Sequence, residues 1–136
     1  MNKISTKESM YKFYNAFSDP NYSSEKIIEE CVADNFMMYT NNKTLNQQDF
    51  YQHMKFIRSN IRVAISIEHL IVEDNYTYDI HSAFGFTKDD TPVHLKYIAK
   101  TFFNEDGKME RIESMSYPIT GDMSHINIST NLVKTK

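Results

Sequence analysis

The second half of the chain contains, from Arg62 to Tyr117, the sequence RVAISIEHLIVEDNYTYDIHSAFGFTKDDTPVHLKYIAKTFFNEDGKMERIESMSY. Polar and apolar residues alternate along several long runs in it, as side chains do on the two faces of a β-strand. The last two runs are joined by NEDGK at residues 104–108, and Asp-Gly between alternating runs is typical of a hairpin. The stretch predicts a meander of long antiparallel strands. The expected strands, including a short one before the stretch, span residues 36–40, 63–73, 76–87, 93–104 and about 109–117.

Helical periodicity is confined to the residues before this meander. The first helix is predicted over residues 6–18, a short second helix ends near Cys31, and a third runs from Asn46 to about residue 59. The apolar stripe of the first helix consists of Met10, Phe13, Tyr14 and Phe17. Helices followed by long strands predict an α+β fold with a curved antiparallel sheet wrapped around the N-terminal helices. Such a sheet encloses a cavity.

Composition is typical of a soluble globular protein. The 136 residues suffice for one core, which we expect at residues 1–120, with a polar tail at 121–136. A net charge of −3 with dispersed Lys and Arg argues against a nucleic-acid partner. No run approaches the ~20 apolar residues of a membrane span. Cys31 is the single cysteine and can form no internal disulfide, so we expect a cytoplasmic protein without nucleic-acid or membrane partners.

Several short motifs accompany this order of elements. Tyr14-x-x-Phe17 lies in the first helix, and Val32-Ala33-Asp34-Asn35-Phe36 leads into the first strand. The last hairpin reads Asn104-Glu105-Asp106-Gly107-Lys108-Met109-x-x-Ile112. In these motifs, and over about residues 6–120, the chain resembles the nuclear transport factor 2-like superfamily and within it the SnoaL-like (polyketide-cyclase-like) branch.

The resemblance implies a cone-shaped α+β barrel, or cystatin-like roll, with an apolar pocket under the first helix. It also implies a homodimer formed through the outer face of the sheet. Members range from isomerases and cyclases to non-catalytic subunits, so the fold does not decide the function. The general-base Asp of ketosteroid isomerases falls here at about Thr40, and the His-Trp-Asp-like signature of SnoaL-type cyclases falls at residues 112–114, which read Ile-Glu-Ser. Neither pattern is matched.

Four side chains are candidates for acid–base chemistry, namely Tyr14, His69, His81 and Asp49. Tyr14 is either an oxyanion donor in the pocket or a core tyrosine bonded to a backbone carbonyl. His69 lies on the same face of its predicted strand as the apolar residues Ile65 and Ile67, and it is either a core histidine or a base. His81 lies two residues from Asp79, so the pair is either an acid–base dyad or a solvated surface pair. Asp49, like the other carboxylates near the expected pocket, becomes a base if burial raises its pKa.

The expected ligand site is lined by large apolar side chains from most of the predicted elements. They are Phe13, Phe17, Phe36, Tyr39, Phe50, Met54, Phe84 and Tyr97. Such a lining suits a flat apolar small molecule, unless packing fills the interior. No His or Cys has a metal-ligand spacing such as H-x-x-x-H or C-x-x-C, and no Gly-rich phosphate loop occurs. We therefore expect neither a metal nor a cofactor.

Three functions are compatible with these residues. The first is a small-molecule-binding protein of the SnoaL-like kind. The second is an enzyme that moves a proton on an apolar carbonyl compound during isomerisation, cyclisation or dehydration, with Tyr14 as hydrogen-bond donor and one of His69, His81 or Asp49 as base. The third is a non-catalytic dimerisation module that acts through the sheet surface.

Overall fold

The computed structural model describes residues 1–120, and the predicted tail at 121–136 lies outside the described residues. Within them are the helices α1 (Lys3–Ser18), α2 (Ser24–Cys31) and α3 (Gln47–Asn60). The strands are β1 (Val32–Thr40), β2 (Lys43–Asn46), β3 (Ile61–Val72), β4 (Tyr76–Thr87), β5 (Pro92–Phe103) and β6 (Met109–Thr120). The predicted α+β class is confirmed. The sequence analysis missed β2, which has too few residues to show an alternating pattern.

Short polar side chains fix where the helices begin. The side chain of Ser23 accepts the backbone N–H of Lys26 and caps α2. Asn46 caps α3 in a capping box, because its side chain accepts the N–H of Asp49 while the Asp49 carboxylate accepts the N–H of Asn46. The cap at Asn46 agrees with the start of the third helix predicted from the sequence. The first helix instead begins after Asn2, whose side chain accepts the N–H of Ser5.

The six strands form one curved, unclosed sheet in the order β2-β1-β6-β5-β4-β3. All neighbours are antiparallel except β1 and β6, which are parallel, so the sheet is mixed rather than purely antiparallel as expected. Gly107, with φ 78°, makes the predicted turn between β5 and β6. The register shifts once between Ile67 and His69, and twice between β5 and β6. Such bulges bend strands and curve a sheet.

The helices cover one face of this sheet, and the main apolar core lies beneath them. Its most deeply buried members, from six different elements, are Met10, Ile27, Phe36, Leu45, Met54 and Met109. Burial of this surface provides the main driving force for placing the helical cover. No helix among the described residues is long and apolar enough to cross a bilayer.

Arg58, near the end of α3, holds the loop between α1 and α2 in place. Its guanidinium donates to the carbonyl oxygens of Phe17, Asp19 and Tyr22 and to the Ser24 hydroxyl. The first two carbonyls lie at the C-terminus of α1, where backbone oxygens lack helical partners. The Arg58 side chain therefore connects α3 to the end of α1 and to the start of α2 by hydrogen bonds.

Candidate functional site

A cavity of about 110 Å³ lies between the helical cover and the sheet. It is of the same order as the roughly 150 Å³ apolar cavities that hold one benzene ring. Most of its wall is apolar, with Met10 and Phe13 from α1, Phe50 from α3, and Val93 and Leu95 from β5. The polar or titratable side chains in the wall are Tyr14, His53, His81, Tyr97, Thr101 and Ser114.

The most ordered polar group in the wall is formed by Tyr14, Asp79 and His81. The Tyr14 hydroxyl donates to Asp79 Oδ2 at 2.8 Å, and His81 Nδ1 lies 2.5 Å from Asp79 Oδ1. Tyr14 Oη is also 3.1 Å from His81 Nδ1. All three side chains are buried, so this is an interior network and not the solvated surface pair that the spacing also allowed.

This network determines which nitrogen of His81 is available to a ligand. A carboxylate only accepts hydrogen bonds, so Nδ1 carries the proton that is donated to Asp79. In the neutral ring, Nε2 then has the free lone pair. None of the residues in the described part of the chain hydrogen-bonds Nε2. The arrangement is that of a histidine base oriented by a carboxylate, in an apolar wall.

Two tyrosines flank the imidazole of His81. Tyr97 is stacked on it with ring centroids 4.9 Å apart and planes 9° apart, and the Tyr14 ring lies 4.7 Å away. Burial raises the pKa of Tyr97 to about 12. Burial first, and then the charge of Asp79, raise the pKa of Tyr14 well above its usual value. Both hydroxyls are therefore protonated donors at neutral pH.

The two hydroxyls differ in their availability. The Tyr14 proton is already donated to the Asp79 carboxylate, so Tyr14 is neither a free oxyanion donor nor a core tyrosine bonded to a backbone carbonyl, the two alternatives of the sequence analysis. No hydrogen bond to the Tyr97 hydroxyl comes from any residue between 1 and 120. Tyr97 is therefore the hydroxyl donor left for a ligand in this part of the cavity.

His53, on α3, is a polar residue in the wall that the sequence analysis missed. It is 7% exposed, and its Nδ1 has no hydrogen-bond partner. Burial lowers the pKa of His53 to about 4, so the ring is neutral at physiological pH. Its spacing was informative, because Phe50, His53, Met54 and Ile57 follow the i, i+3, i+4, i+7 pattern of a buried helix face.

Five of the predicted ligand-lining residues lie in the cavity wall. They are Phe13, Phe17, Phe50, Met54 and Tyr97. Phe36 does not line the cavity: it is 1% exposed and packs against Phe50 in the core, with ring centroids 4.8 Å apart. Tyr39 lies between the buried residues Met38 and Thr40, so alternation turns it outward, beneath the Arg111 guanidinium at 4.5 Å.

Phe84 was predicted on the wrong face of β4. Directly opposed residues on neighbouring strands share a face, and Ala83 is opposed to Leu95, which is buried in the cavity wall. Ala83 therefore faces inward and Phe84 outward, where 46% of it is exposed and it stacks on His94.

His69 and Asp49 lie outside the cavity as well. The register shift after Ile67 changes the parity of β3, so His69 is exposed on the outer face instead of sharing the side of Ile67. Asp49 belongs to the capping box of α3 and is not part of the cavity wall. Among residues 1–120, no group of three or more His, Cys, Asp or Glu side chains is arranged to hold a metal.

No protein-family model matches the chain, and no curated protein matches it by sequence. Solved structures do match. One is a proposed SnoaL-like polyketide cyclase from Jannaschia sp. CCS1. The superposition includes 94% of this chain and 94% of the cyclase chain, with a TM-score of 0.71 and 10% sequence identity. The chain has the SnoaL-like fold. The epoxide hydrolase/cyclase-like enzyme SalBIII, linked to pyran ring formation in polyether salinomycin, has the same TM-score of 0.71 at 12% identity, over 82% of this chain and 90% of its own.

The SnoaL-like fold also matches a de novo designed protein with a curved β-sheet. That structure covers 100% of both chains, with a TM-score of 0.74 and 11% identity. At these identities the likeness shows the fold alone. What the chain does has to be argued from its own cavity.

Proposed function

We propose that this protein binds a small, mainly apolar organic molecule in the cavity beneath α1 and α3. The observation that carries the proposal is the composition of the wall, which is apolar except for a few polar groups held in fixed positions. Ligand sites of proteins generally combine these two features. The cavity volume of about 110 Å³ favours a compound with a single ring or a short chain.

Methionine methyl groups offer a direct test, with acetophenone as the probe. Four methionines, Met10, Met38, Met54 and Met109, line the cavity, whereas Met115 is exposed on the outer face. In a protein labelled with ¹³C at the methionine methyls, acetophenone should shift the four cavity signals and leave Met115 in place. Shifts that are absent, or spread equally over all signals, would contradict binding in the cavity.

A pair of alanine variants provides the control. Ala83→Leu fills part of the cavity and should weaken acetophenone binding at least tenfold, because Ala83 lies in the wall. Ala64→Leu adds the same volume on the exposed side of β3 and should bind like the unsubstituted protein. Thermal unfolding of both variants would show that each is folded.

The buried pair of Asp79 and His81 favours a second candidate function, an acid–base reaction on an apolar carbonyl compound. In this proposal His81 Nε2 takes a proton from the carbon next to the carbonyl group, and the Tyr97 hydroxyl donates to the enolate oxygen that forms. Asp79 stabilises the imidazolium, and Tyr14 holds Asp79 in position. Where a carbon–carbon double bond lies next to the deprotonated carbon, the product is a dienolate, and return of the proton from His81 to its far carbon would complete an isomerisation.

Deuterium exchange tests this second candidate without knowledge of the natural substrate. In D₂O the protein should accelerate the exchange of the methyl protons of acetophenone for deuterium. The exchange is measured as the loss of the NMR signal of these protons. His81→Gln should reduce the exchange to the buffer rate, whereas His69→Gln, on the outer face, should leave it unchanged. Exchange that persists in His81→Gln, or is absent from the unsubstituted protein, would exclude this reaction.

We also propose a homodimer formed through the outer face of the sheet. Ile80, Ile98 and Met115 are neighbours across β4, β5 and β6, and 44% of Ile98 and 58% of Met115 are exposed. Exposed apolar patches on a sheet often mark a protein interface. The same surface would serve a non-catalytic dimerisation module.

Sedimentation at micromolar concentration measures this association. The unsubstituted protein should sediment as a dimer, and Ile98→Glu as a monomer, because the substitution buries a charge in the proposed interface. Ile4→Glu, on the exposed side of α1, should remain dimeric. A monomeric unsubstituted protein would contradict the proposal.

The expected cytoplasmic location stays a prediction. It rests on Cys31, the single cysteine of the sequence, which is a free thiol in the structure. Fractionation of the native cell would test it, and recovery of the protein outside the cytoplasm would contradict it.

A further inference from the structure

His53 has no role in the chemistry proposed for His81, although it lies in the wall of the same cavity. A neutral imidazole has one N–H donor and one acceptor nitrogen, and each needs a partner when it is buried. Nδ1 has none, although 93% of the residue's surface is covered. A buried polar group without a partner costs about 1–3 kcal/mol. An apolar residue of similar size would fill this place on α3 without that cost.

The two histidines approach the cavity from different layers of the fold. His53 belongs to α3 in the helical cover, whereas His81 belongs to β4 in the sheet. Tyr97, the hydroxyl donor without a partner, is opposed to His81 on the next strand. The cavity between the two layers therefore has polar groups on both sides of a mostly apolar space.

We propose that the ligand of this cavity carries two neutral hydrogen-bonding groups, and that His53 binds the second of them, a hydroxyl. The first group, a carbonyl, is bound beside His81 and Tyr97 on the sheet. The ligand class is thus a compact hydroxy-ketone or hydroxy-aldehyde, with its two oxygen atoms separated by an apolar ring or chain. This inference rests on the proposed binding function. It adds the chemical nature of the ligand group that lies beside His53.

The state of the His53 ring favours a neutral partner over an ionic one. Because burial keeps the imidazole uncharged, a carboxylate placed there would lose its hydration without gaining an ion pair. Among the described residues that line the cavity, no Lys or Arg offers such a charge. A hydroxyl can both donate to and accept from a neutral imidazole, so it fits whichever nitrogen carries the proton.

Two probes that differ by one hydroxyl test the inference. The unsubstituted protein should bind 4′-hydroxyacetophenone about five- to tenfold more tightly than acetophenone, as expected for one net hydrogen bond. In His53→Met, which replaces the ring with an apolar side chain of similar size, the order should reverse, because the hydroxyl then loses its hydration without gaining a partner. His69→Met, changed on the outer face, should keep the preference of the unsubstituted protein.

The outcomes separate this inference from the proposed function. If acetophenone binds but the hydroxyl gives no gain, or if His53→Met keeps the gain, the role of His53 is refuted and cavity binding stands. If neither probe shifts the methionine methyl signals of the cavity, cavity binding itself fails and this inference fails with it. Thermal unfolding of His53→Met should show a folded protein, since the substitution removes a buried polar group without a partner.

Discussion

Asp79 Oδ1 lies 2.5 Å from His81 Nδ1, although both residues belong to a strand whose opposite face carries exposed aromatic side chains. The polar face of β4 is therefore the inner one. Asp79 is 3% exposed and His81 is 7% exposed, so the pair is shielded from bulk water. Burying a carboxylate is costly unless donors surround it. The Tyr14 hydroxyl is the second donor, and it comes from the helical cover.

Replacing Asp79 with Asn should destabilise the fold. The carboxylate accepts from His81 through one oxygen and from Tyr14 through the other. An amide has only one acceptor oxygen, so its NH₂ group would face Tyr14 or His81. That partner would lose its donated hydrogen bond, and it could accept from the amide only if the Tyr14 hydroxyl rotated or the His81 proton moved to Nε2. We expect a loss of about 1–3 kcal/mol in the free energy of unfolding, measured by urea titration.

Asp34→Asn is the matched control, because Asp34 is exposed on β1. It should change the free energy of unfolding by less than about 0.5 kcal/mol. Equal stability of the Asp79 and Asp34 variants would show that the carboxylate is not the acceptor that organises this wall.

Removing the hydroxyl groups of the two tyrosines should have opposite consequences. Tyr14→Phe removes a donor to Asp79 and should lower the free energy of unfolding by about 1–2 kcal/mol. Tyr97→Phe removes a hydroxyl that no described residue hydrogen-bonds, so stability should be unchanged or higher while the affinity for acetophenone falls. Thermal unfolding and the methionine methyl titration together measure both effects. A larger stability loss in Tyr97→Phe than in Tyr14→Phe would contradict this assignment of the hydroxyls.

The order of elements was predictable from the sequence, whereas the inner face of each strand was not. Periodicity located the helices and the long strands, because each repeats a local pattern several times. On β4, however, Thr77, Asp79 and His81 face inward, while Tyr78 and Phe84 face out. This choice follows from the pairing of Ala83 with Leu95, and a cross-strand register cannot be derived from one strand alone.

The candidate site was predicted only in part, for the same reason. Tyr14, Phe13 and Phe17 lie on a helix with a clear apolar stripe, and all three line the cavity. Assigning His69 to the inner face required an unbroken alternation along β3, which the bulge interrupts. His53 was overlooked although its spacing with Phe50 and Met54 places it on the buried face of α3, because only the apolar members of that stripe were counted as buried.

Acid should destabilise the protein through His53. Burial lowers its pKa from 6.5 to about 4, so below pH 6.5 the unfolded chain takes up a proton before the folded protein does. The contribution of the neutral ring to stability is complete above pH 6.5 and is lost as the pH falls towards 4. At 1.36 kcal/mol per pH unit, the full loss is about 3 kcal/mol.

Carboxylates with lowered pKa values, such as Glu68 and Asp89, also make the protein less stable in acid. The contribution of His53 is therefore measured as the difference in stability between the unsubstituted protein and His53→Met. Urea titrations at several pH values between 4 and 7 should show a steeper loss in the unsubstituted protein than in His53→Met. His69→Met should follow the unsubstituted protein. Parallel curves for the unsubstituted protein and His53→Met would mean that the ring is protonated as readily in the fold as in the unfolded chain.

Gly85 should tolerate no side chain, because the backbone of the neighbouring strand β3 is too close to the place where a Cβ atom would lie. A Cβ atom at this position would lie 2.4 Å from the carbonyl oxygen of Arg62 and 2.7 Å from Cγ2 of Ile61. The first of these atoms is backbone and cannot rotate away, so Gly85→Ala must push β3 from β4 at the edge of the sheet. We expect a loss of at least about 2 kcal/mol in the free energy of unfolding. The methyl signals of Val63 and Val93 should also shift, because both residues are opposed to Gly85 and line the cavity. Phe84→Tyr, one position away on the exposed face, is the control and should leave both measurements unchanged. If Gly85→Ala were as stable as Phe84→Tyr, β3 and β4 would not approach each other as closely at Gly85 as the structure has them.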